Sequence, residues 1–448
     1  MKLDPHLPQL PSIGELLEHP RVKGVVARIN RSTLAHRAAG FLDELRSSLA
    51  ERTGRVEMPS VTQLAERLAR RLLGEPPASG PLINATGLVV GDPDLAPPLA
   101  DVAVHAMMQV ASEYHDRGAE LRAAVQRELC GLTGGEAALV LNSFDSALNA
   151  AIAAAAANRE MLVCGSVAPP VGGVDWRRLA ARHSALLLTS AADPASLAAA
   201  AKDAPAMGMV VRSPDAEGMA STQEIAAVAK RRGASFIDVA PLAGLLNPQD
   251  YGLQSVETIQ ERIAAGADLV IADGAGLLGG PACGVIIGKR SLVQSAAAHH
   301  LASLAAMETA GAAALDATLA IYRDDEEEIA KFSIPVWQLL SAPLANLEQR
   351  AARLAALIAA SAEVASAEAR QVESPWRRYG ELAFAAPSWV IAVRMRTGDT
   401  AAVLSRLRQQ RPHSILASGA EDAIHLDLRS VFPRSDQQLA SAFEGTES

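Results

Sequence analysis

From about residue 82 the chain alternates short apolar runs with helix-patterned segments, and this alternation restricts the fold more than any other feature. The runs AALVLNS (137–143), MLVCGS (161–166), ALLLTS (185–190), MGMVVRS (207–213), SFIDVA (235–240), DLVIADG (268–274) and GVIIGKR (284–290) read as buried strands. Between them lie ELRAAVQRELCGLTG (120–134), closed by a glycine, DSALNAAIAAAAA (145–157) and STQEIAAVAKRRG (221–233), which read as helices. Strands alternating with helices imply an α/β fold with a mostly parallel sheet covered on both faces. The segment LINATGLVV (82–90) leads in as a strand or loop, and residues 300–320 suit one long alanine-rich helix. Further on, PSWVIAVRMRT (387–397), PHSILASG (412–419) and DAIHLDLRS (422–430) read as strands of a smaller α+β unit.

Residues 1–80 follow a different period. Ser12 stands three places before Glu15, the spacing of a capping box. Leu34, Ala38, Phe41, Leu42, Leu45 and Leu49 share one helical face, as do Val61, Leu64, Leu68 and Leu72. The stretch GEPPASGP (74–81) is a linker by composition. The expected organisation is a helical domain over 1–80, a large α/β domain over 81–320 and a C-terminal α+β domain over 321–448.

Charge and cysteine usage limit the partners. A net charge of −9 makes a generic nucleic-acid binder, and DNA as a partner, an unexpected reading. Within residues 1–80, Arg21, Lys23, Arg28, Arg31 and Arg37 make either a local basic stripe or an ordinary solvated face. Cys130, Cys164 and Cys283 are widely spaced, which argues against a disulfide framework or a structural zinc site. The opening residues lack the apolar run of a signal peptide, and no uninterrupted apolar stretch has transmembrane length, so the expectation is a cytoplasmic, soluble protein.

Motifs spread over nearly the whole chain carry a family likeness. They include LPSIGELLEHPRV (10–22), INATGLVV (83–90), LTGGEAALVLNS (132–143), DYGLQSVETIQERIAAGADLVIADGAGLLGGPACGVIIGKRSLV (250–293), FSIPVWQLLSAPLANLEQRA (332–351), PSW (387–389) and LDLRSV (426–431). The chain thereby resembles the bacterial selenocysteine synthases, the L-seryl-tRNA(Sec) selenium transferases. The resemblance implies the aminotransferase-like fold of type I, with pyridoxal phosphate as cofactor and conversion of seryl-tRNA(Sec) to selenocysteinyl-tRNA(Sec) with selenophosphate. It also implies homo-oligomers, as dimers or rings of dimers, and an N-terminal domain that touches the tRNA.

Pyridoxal phosphate chemistry needs a lysine amine, a carboxylate for the ring nitrogen and a helix start that holds phosphate. By resemblance Asp238 takes the carboxylate position, although spacing alone favours a carboxylate that caps a strand end. Asn142 and Ser143 stand in the phosphate turn, with an N-capped helix as the plainer reading, and Phe144 and Asp145 depart from the family pattern. The family's lysine position falls on Gly276 in IADGAGLLGGP (271–281), so no catalytic residue is assigned. The chain's lysines, Lys2, Lys23, Lys202, Lys230, Lys289 and Lys331, all lie elsewhere. The segment GDPDLAPPL (91–99) lacks the polar run expected there. Of the loop arginines, Arg117 or Arg122, and Arg177 or Arg178 beside VGG (171–173), are the remaining candidates.

Several functions follow as expectations. A non-catalytic or repurposed relative keeps the scaffold without the chemistry. An active selenium transferase would need an atypical site, with an amine from a neighbouring subunit. A lyase or transferase without covalent cofactor would need a polar cleft around Asp238, and Leu277 or Phe144 filling that cleft would count against it. An oligomeric scaffold would bind tRNA or protein through residues 1–80.

Overall fold

The computed structural model describes residues 12–20, 22–23, 40–41, 61–62, 64–65 and 68 near the N-terminus. From residue 81 it describes all but 93–94, 113, 117, 157–158, 166–175, 184–186, 204–206, 213–218, 324–326, 380–381, 398, 411–412, 421 and 445–448. The chain divides into two compact units, Met1–Leu82 with Arg411–Ser414, and Ile83–Gln410 with Ile415–Ser448.

In the first unit the helix Ile13–Glu18 starts as its sequence dictates. Ser12 Oγ accepts the Glu15 amide, while the Glu15 carboxylate accepts the Ser12 amide at 2.9 Å. These bonds hold the Glu15 carboxyl below the usual carboxylate range. Of the second apolar stripe, Leu64 and Leu68 are buried and Val61 is exposed, while Leu72 lies outside the described residues. The stripe over 34–49 also lies outside them, except Phe41, which is buried.

The second unit is built on a seven-stranded sheet and a five-stranded sheet. The strands in chain order are β1 (Leu82–Ala85), β2 (Ala137–Leu141), β3 (Glu160–Cys164), β4 (Leu187–Ser190), β5 (Met207–Arg212), β6 (Ser235–Val239), β7 (Leu269–Asp273), β8 (Gly284–Gly288), β9 (Val364–Tyr379), β10 (Leu382–Met395), β11 (Ser414–Ala420) and β12 (Ala423–Asp427). The larger sheet has the order β2-β8-β7-β6-β5-β3-β4. All its strands run parallel except β8, which pairs antiparallel with both β2 and β7. The parallel strands read as unbroken apolar runs because both faces are covered. Phe236, Val270 and Val210 fill one core, and Ile237, Leu269, Ile271 and Val211 fill the other.

The smaller sheet, β1-β11-β12-β10-β9, packs Ile391, Val393, Ile424 and Leu426 against the helix Leu344–Ala359. The long helix expected over 300–320 is broken into His300–Leu304 and Thr309–Arg323. Residues between them are drawn into the larger sheet. Ala306 bridges Leu141 antiparallel, the Ala305 carbonyl accepts the Asn142 amide at 2.8 Å, and the Met307 carbonyl accepts Arg122. Alanine's helix propensity, a few tenths of a kilocalorie per residue, yields to these tertiary bonds. Among the described residues no helix is long and apolar enough to cross a membrane.

Phe236 sits at 0% exposure in the core beneath β6, so Phe236→Ala is expected to cost about 3–5 kcal/mol by lost transfer energy and the cavity left behind. Urea unfolding followed by circular dichroism measures it.

Candidate functional site

In a parallel α/β sheet ligands are met at the carboxyl ends of the strands, where loops leave the sheet. Here that edge gathers Asn142 and Ser143 after β2, Arg212 closing β5, Asp238 in β6, Asp273 closing β7, and the turn that carries Gly276.

The turn after β2 is bonded within itself. Ser143 Oγ accepts the Ser146 amide at 3.2 Å and lies 2.8 Å from Ser146 Oγ, which donates to Asn142 Oδ1 at 3.0 Å. The Asn142 amide is already spent on Ala305. Behind the turn stands Gly284, where a Cβ would lie 2.2 Å from the Ser143 carbonyl oxygen. Phe144 is buried in the core, and Asp145 opens the helix Phe144–Ala156. Burial raises the Asp145 carboxyl, and its Oδ1 has no hydrogen-bond partner.

Asp273 faces the same problem more strongly. Burial first, and then the negative charge of Asp145, push its carboxyl up to about 6, against the pull of the Ala275 and Cys283 amides. Ala275 donates to Asp273 Oδ1 at 3.0 Å. Asp273 leads into a tight turn. The Gly276 amide donates to the Asp273 carbonyl at 3.1 Å, Gly279 to Gly276 at 3.1 Å, and Gly280 to Gly274 at 2.8 Å. A Cβ on Gly276 would lie 2.6 Å from the Pro241 carbonyl oxygen and 3.2 Å from that of Asp273, so backbone closes the space a side chain would need. Leu277 and Leu278 are fully buried beside it. Tyr322 Oη donates to the Leu278 carbonyl at 2.9 Å and accepts Trp337 Nε1 at 2.9 Å, which anchors the turn to the core. Burial raises the Tyr322 phenol far above its ordinary value, so it stays a donor.

Asp238 lies at 0% exposure. The β5–β6 register sets Arg212 directly beside it. Arg212 grips it in a fork, Nε to Oδ1 at 2.8 Å and Nη2 to Oδ2 at 2.5 Å. Arg262, from the helix Ile259–Ala264, adds Nη1 contacts to Oδ1 at 3.3 Å and to Oδ2 at 3.1 Å. Glu257 completes the group, accepting Arg212 at 3.1 Å and the Thr222 hydroxyl at 2.7 Å.

The remaining candidates scatter. Lys289 stands beyond the end of the antiparallel β8, at the opposite edge of the sheet, paired to Asp268 at 2.5 Å. Lys202, Lys230 and Lys331 lie in the last turns of their helices, and Lys331 sits over the Phe332 ring. Arg122 binds the Met307 carbonyl, and Arg177 and Arg178 are exposed on the helix Trp176–Arg182. Lys2, Arg117, the glycines at 172–173, and Arg21, Arg28, Arg31 and Arg37 lie outside the described residues. Sequence reasoning missed Arg212, Glu257, Arg262 and Asp273. The available signal was a charge ending an otherwise apolar strand, MGMVVR, and another inside ERIAAGADLV. Among the described residues no group of three or more His, Cys, Asp or Glu side chains could hold a metal ion.

A mixed, mostly parallel seven-stranded sheet with one antiparallel strand and a smaller sheet beside its C-terminal helices defines the pyridoxal-phosphate-dependent aminotransferase fold. The chain superposes on D-glucosaminate-6-phosphate ammonia-lyase with a TM-score of 0.59 at 16% identity, covering 87% of this chain and 98% of that one. The family model for L-seryl-tRNA selenium transferase matches residues 216–432. The L-seryl-tRNA(Sec) selenium transferase of Moorella thermoacetica is 27% identical, covering 97% of this chain and 96% of the relative. That of Carboxydothermus hydrogenoformans is 27% identical, covering 96% of each. Together these matches support the selenocysteine synthase family for this chain.

The raised Asp273 carboxyl has a pH consequence. Its folded pKa lies above the unfolded value of about 3.9, so the folded chain holds a proton that the unfolded chain has lost. Stability that is complete below about pH 4 is therefore lost as pH rises through about 6. Asp273→Asn, which can still accept the Ala275 amide, is expected to stabilise by on the order of 2 kcal/mol at pH 7 and by almost nothing at pH 4. Urea melts at the two pH values test it, and an equal effect at both would remove burial of charge as the cause.

Proposed function

We propose that this chain is a selenocysteine-synthase-like protein that keeps the family's scaffold without its inherited chemistry, as a non-catalytic or repurposed relative. The observation that carries this reading is Gly276. It stands where the resemblance places the imine-forming lysine, and the Pro241 carbonyl occupies the space in which a side chain would start.

Pyridoxal phosphate is the cofactor that the family implies, and it would supply an electron-accepting ring. The residues present do not fit it. No amine is offered at Gly276. Asp238, the carboxylate for the ring nitrogen, is taken up by Arg212 and Arg262. The phosphate end carries Asp145 and Asp273. A unit charge about 5 Å from a like charge costs about 3 kcal/mol at an effective dielectric of about 20, whereas a helix N-terminus returns about 0.3–1 kcal/mol. Repulsion of a phosphate dianion therefore outweighs the attraction of the helix start.

In this reading residues 1–80, 81–320 and 321–448 serve as the helical, large and C-terminal domains of a homo-oligomer, and seryl-tRNA chemistry is left to other proteins. The test is a spectrum of the purified full chain with pyridoxal phosphate, then borohydride reduction and peptide mass mapping. We expect no imine absorbance band and no coenzyme-modified lysine; a reduced adduct on any lysine would end the proposal.

Affinity for tRNA is the part of the family's activity that does not need the lysine. Its support is the relatives' named substrate and the basic residues of 1–80. Filter binding is expected to show tRNA retention that falls steeply as salt rises. Retention that is absent at low salt would remove tRNA as a partner.

A further inference from the structure

We propose that Arg212, Asp238 and Arg262 form a resident ion cluster that takes the place of the coenzyme ring, so that the carboxyl ends of β5 and β6 are held together with no cofactor. The proposal rests on the non-catalytic reading above and adds what the retained carboxylate now does.

The Asp238 carboxylate has no acceptor capacity to spare. An ionised carboxylate offers about four lone-pair sites. Arg212 Nε and Arg262 Nη1 reach Oδ1, and Arg212 Nη2 and the same Arg262 nitrogen reach Oδ2. All four sites are directed at guanidinium N–H groups, and none is left for a protonated ring nitrogen. The charges balance as well. Two guanidiniums, which stay protonated at any ordinary pH, stand against two carboxylates, Asp238 and Glu257. The group is neutral by itself and needs no ligand cation to balance Asp238.

The cluster also joins separate elements. Arg212 belongs to β5, Asp238 to β6 and Arg262 to the helix Ile259–Ala264. Arg262 Nε also donates to the Glu257 carbonyl at 2.9 Å, and Glu257 takes the Thr222 hydroxyl at the start of the helix Thr222–Arg232. The Asp238 and Glu257 carboxylates together thus tie two neighbouring strands to the helices Ile259–Ala264 and Thr222–Arg232. A coenzyme ring in this place would link the same elements only while bound. Removing Asp238 leaves Arg212 and Arg262, at 3% and 1% exposure, without their central counter-charge.

Thermal unfolding of the full chain decides the matter, using the unmodified protein, Asp238→Asn, Arg262→Met and the double variant, each with and without excess pyridoxal phosphate. We expect the coenzyme to leave the unmodified protein's Tm unchanged, and Asp238→Asn to lower Tm by roughly 5 °C or more. The double variant should lose less than the sum of the single losses, because the two residues act on one interaction. Should Asp238→Asn not yield soluble protein, Arg262→Met decides alone, a lowered Tm supporting the cluster and an unchanged one overturning it. An unchanged Tm for Asp238→Asn overturns it too. So does a coenzyme-induced rise in Tm that Asp238→Asn abolishes, since Asp238 would then be a cofactor ligand. A borohydride-trapped lysine adduct would end the non-catalytic reading yet leave a lowered, coenzyme-insensitive Tm standing. No adduct together with an unchanged Tm would end the cluster and spare that reading.

Discussion

A carboxylate at 0% exposure inside a strand must be paired or protonated, because the low-dielectric interior penalises an isolated charge by many kilocalories. Asp238 is placed in that position by β6, and the neighbouring strand answers it. The parallel register brings Arg212 alongside, and the helix Ile259–Ala264 adds Arg262 from above the sheet. The carboxyl ends of β5 and β6 and the helix Ile259–Ala264 meet at this one anion. Buried ion groups of this kind rarely add net stability over an apolar substitute, but they make the loss of any single member costly. They also fix which strand lies beside which, since a one-residue slip would bury Arg212 against hydrocarbon.

The second constraint is backbone crowding at the same edge. Gly276 lies under the Pro241 carbonyl, and Gly284 lies against the Ser143 carbonyl, at distances that exclude any Cβ. These glycines serve close approach, not positive φ, since neither adopts a left-handed conformation. They let the turn after β7 and the start of β8 pack flat against the turns from β6 and β2. Tyr322 and Trp337 then pin that turn from the far side. The result is an edge in which backbone packs closely around buried charge.

Much of the architecture was legible in the chain. Unbroken apolar runs such as MLVC and LVIA became doubly covered strands, and the helices after them started and stopped near their caps, as with Ser221 and Gly233 around Thr222–Arg232. The break between Leu304 and Thr309 was not legible, because local alanine propensity points one way and the bridge from Ala306 to Leu141 points the other. The candidate edge was legible in part. Asn142, Ser143, Asp238 and Gly276 could be named by position, but Asp145 and Asp273 look like ordinary solvated acids until their burial is known. Arg262, lying 24 residues from Asp238 in sequence, gives no local sign of its partner.

By itself, then, the sequence determined the order and type of the elements, since hydrophobic period and capping residues act over a few neighbours. It also determined that Gly276 brings no amine of its own. Only the tertiary structure decided that Asp238 is gripped by two arginines, that burial raises Asp273 with a further push from the charge of Asp145, and that carbonyls close over Gly276. Those facts depend on groups far apart in the chain meeting in a medium of low dielectric. Neither spacing nor composition encodes the distances on which such energies turn.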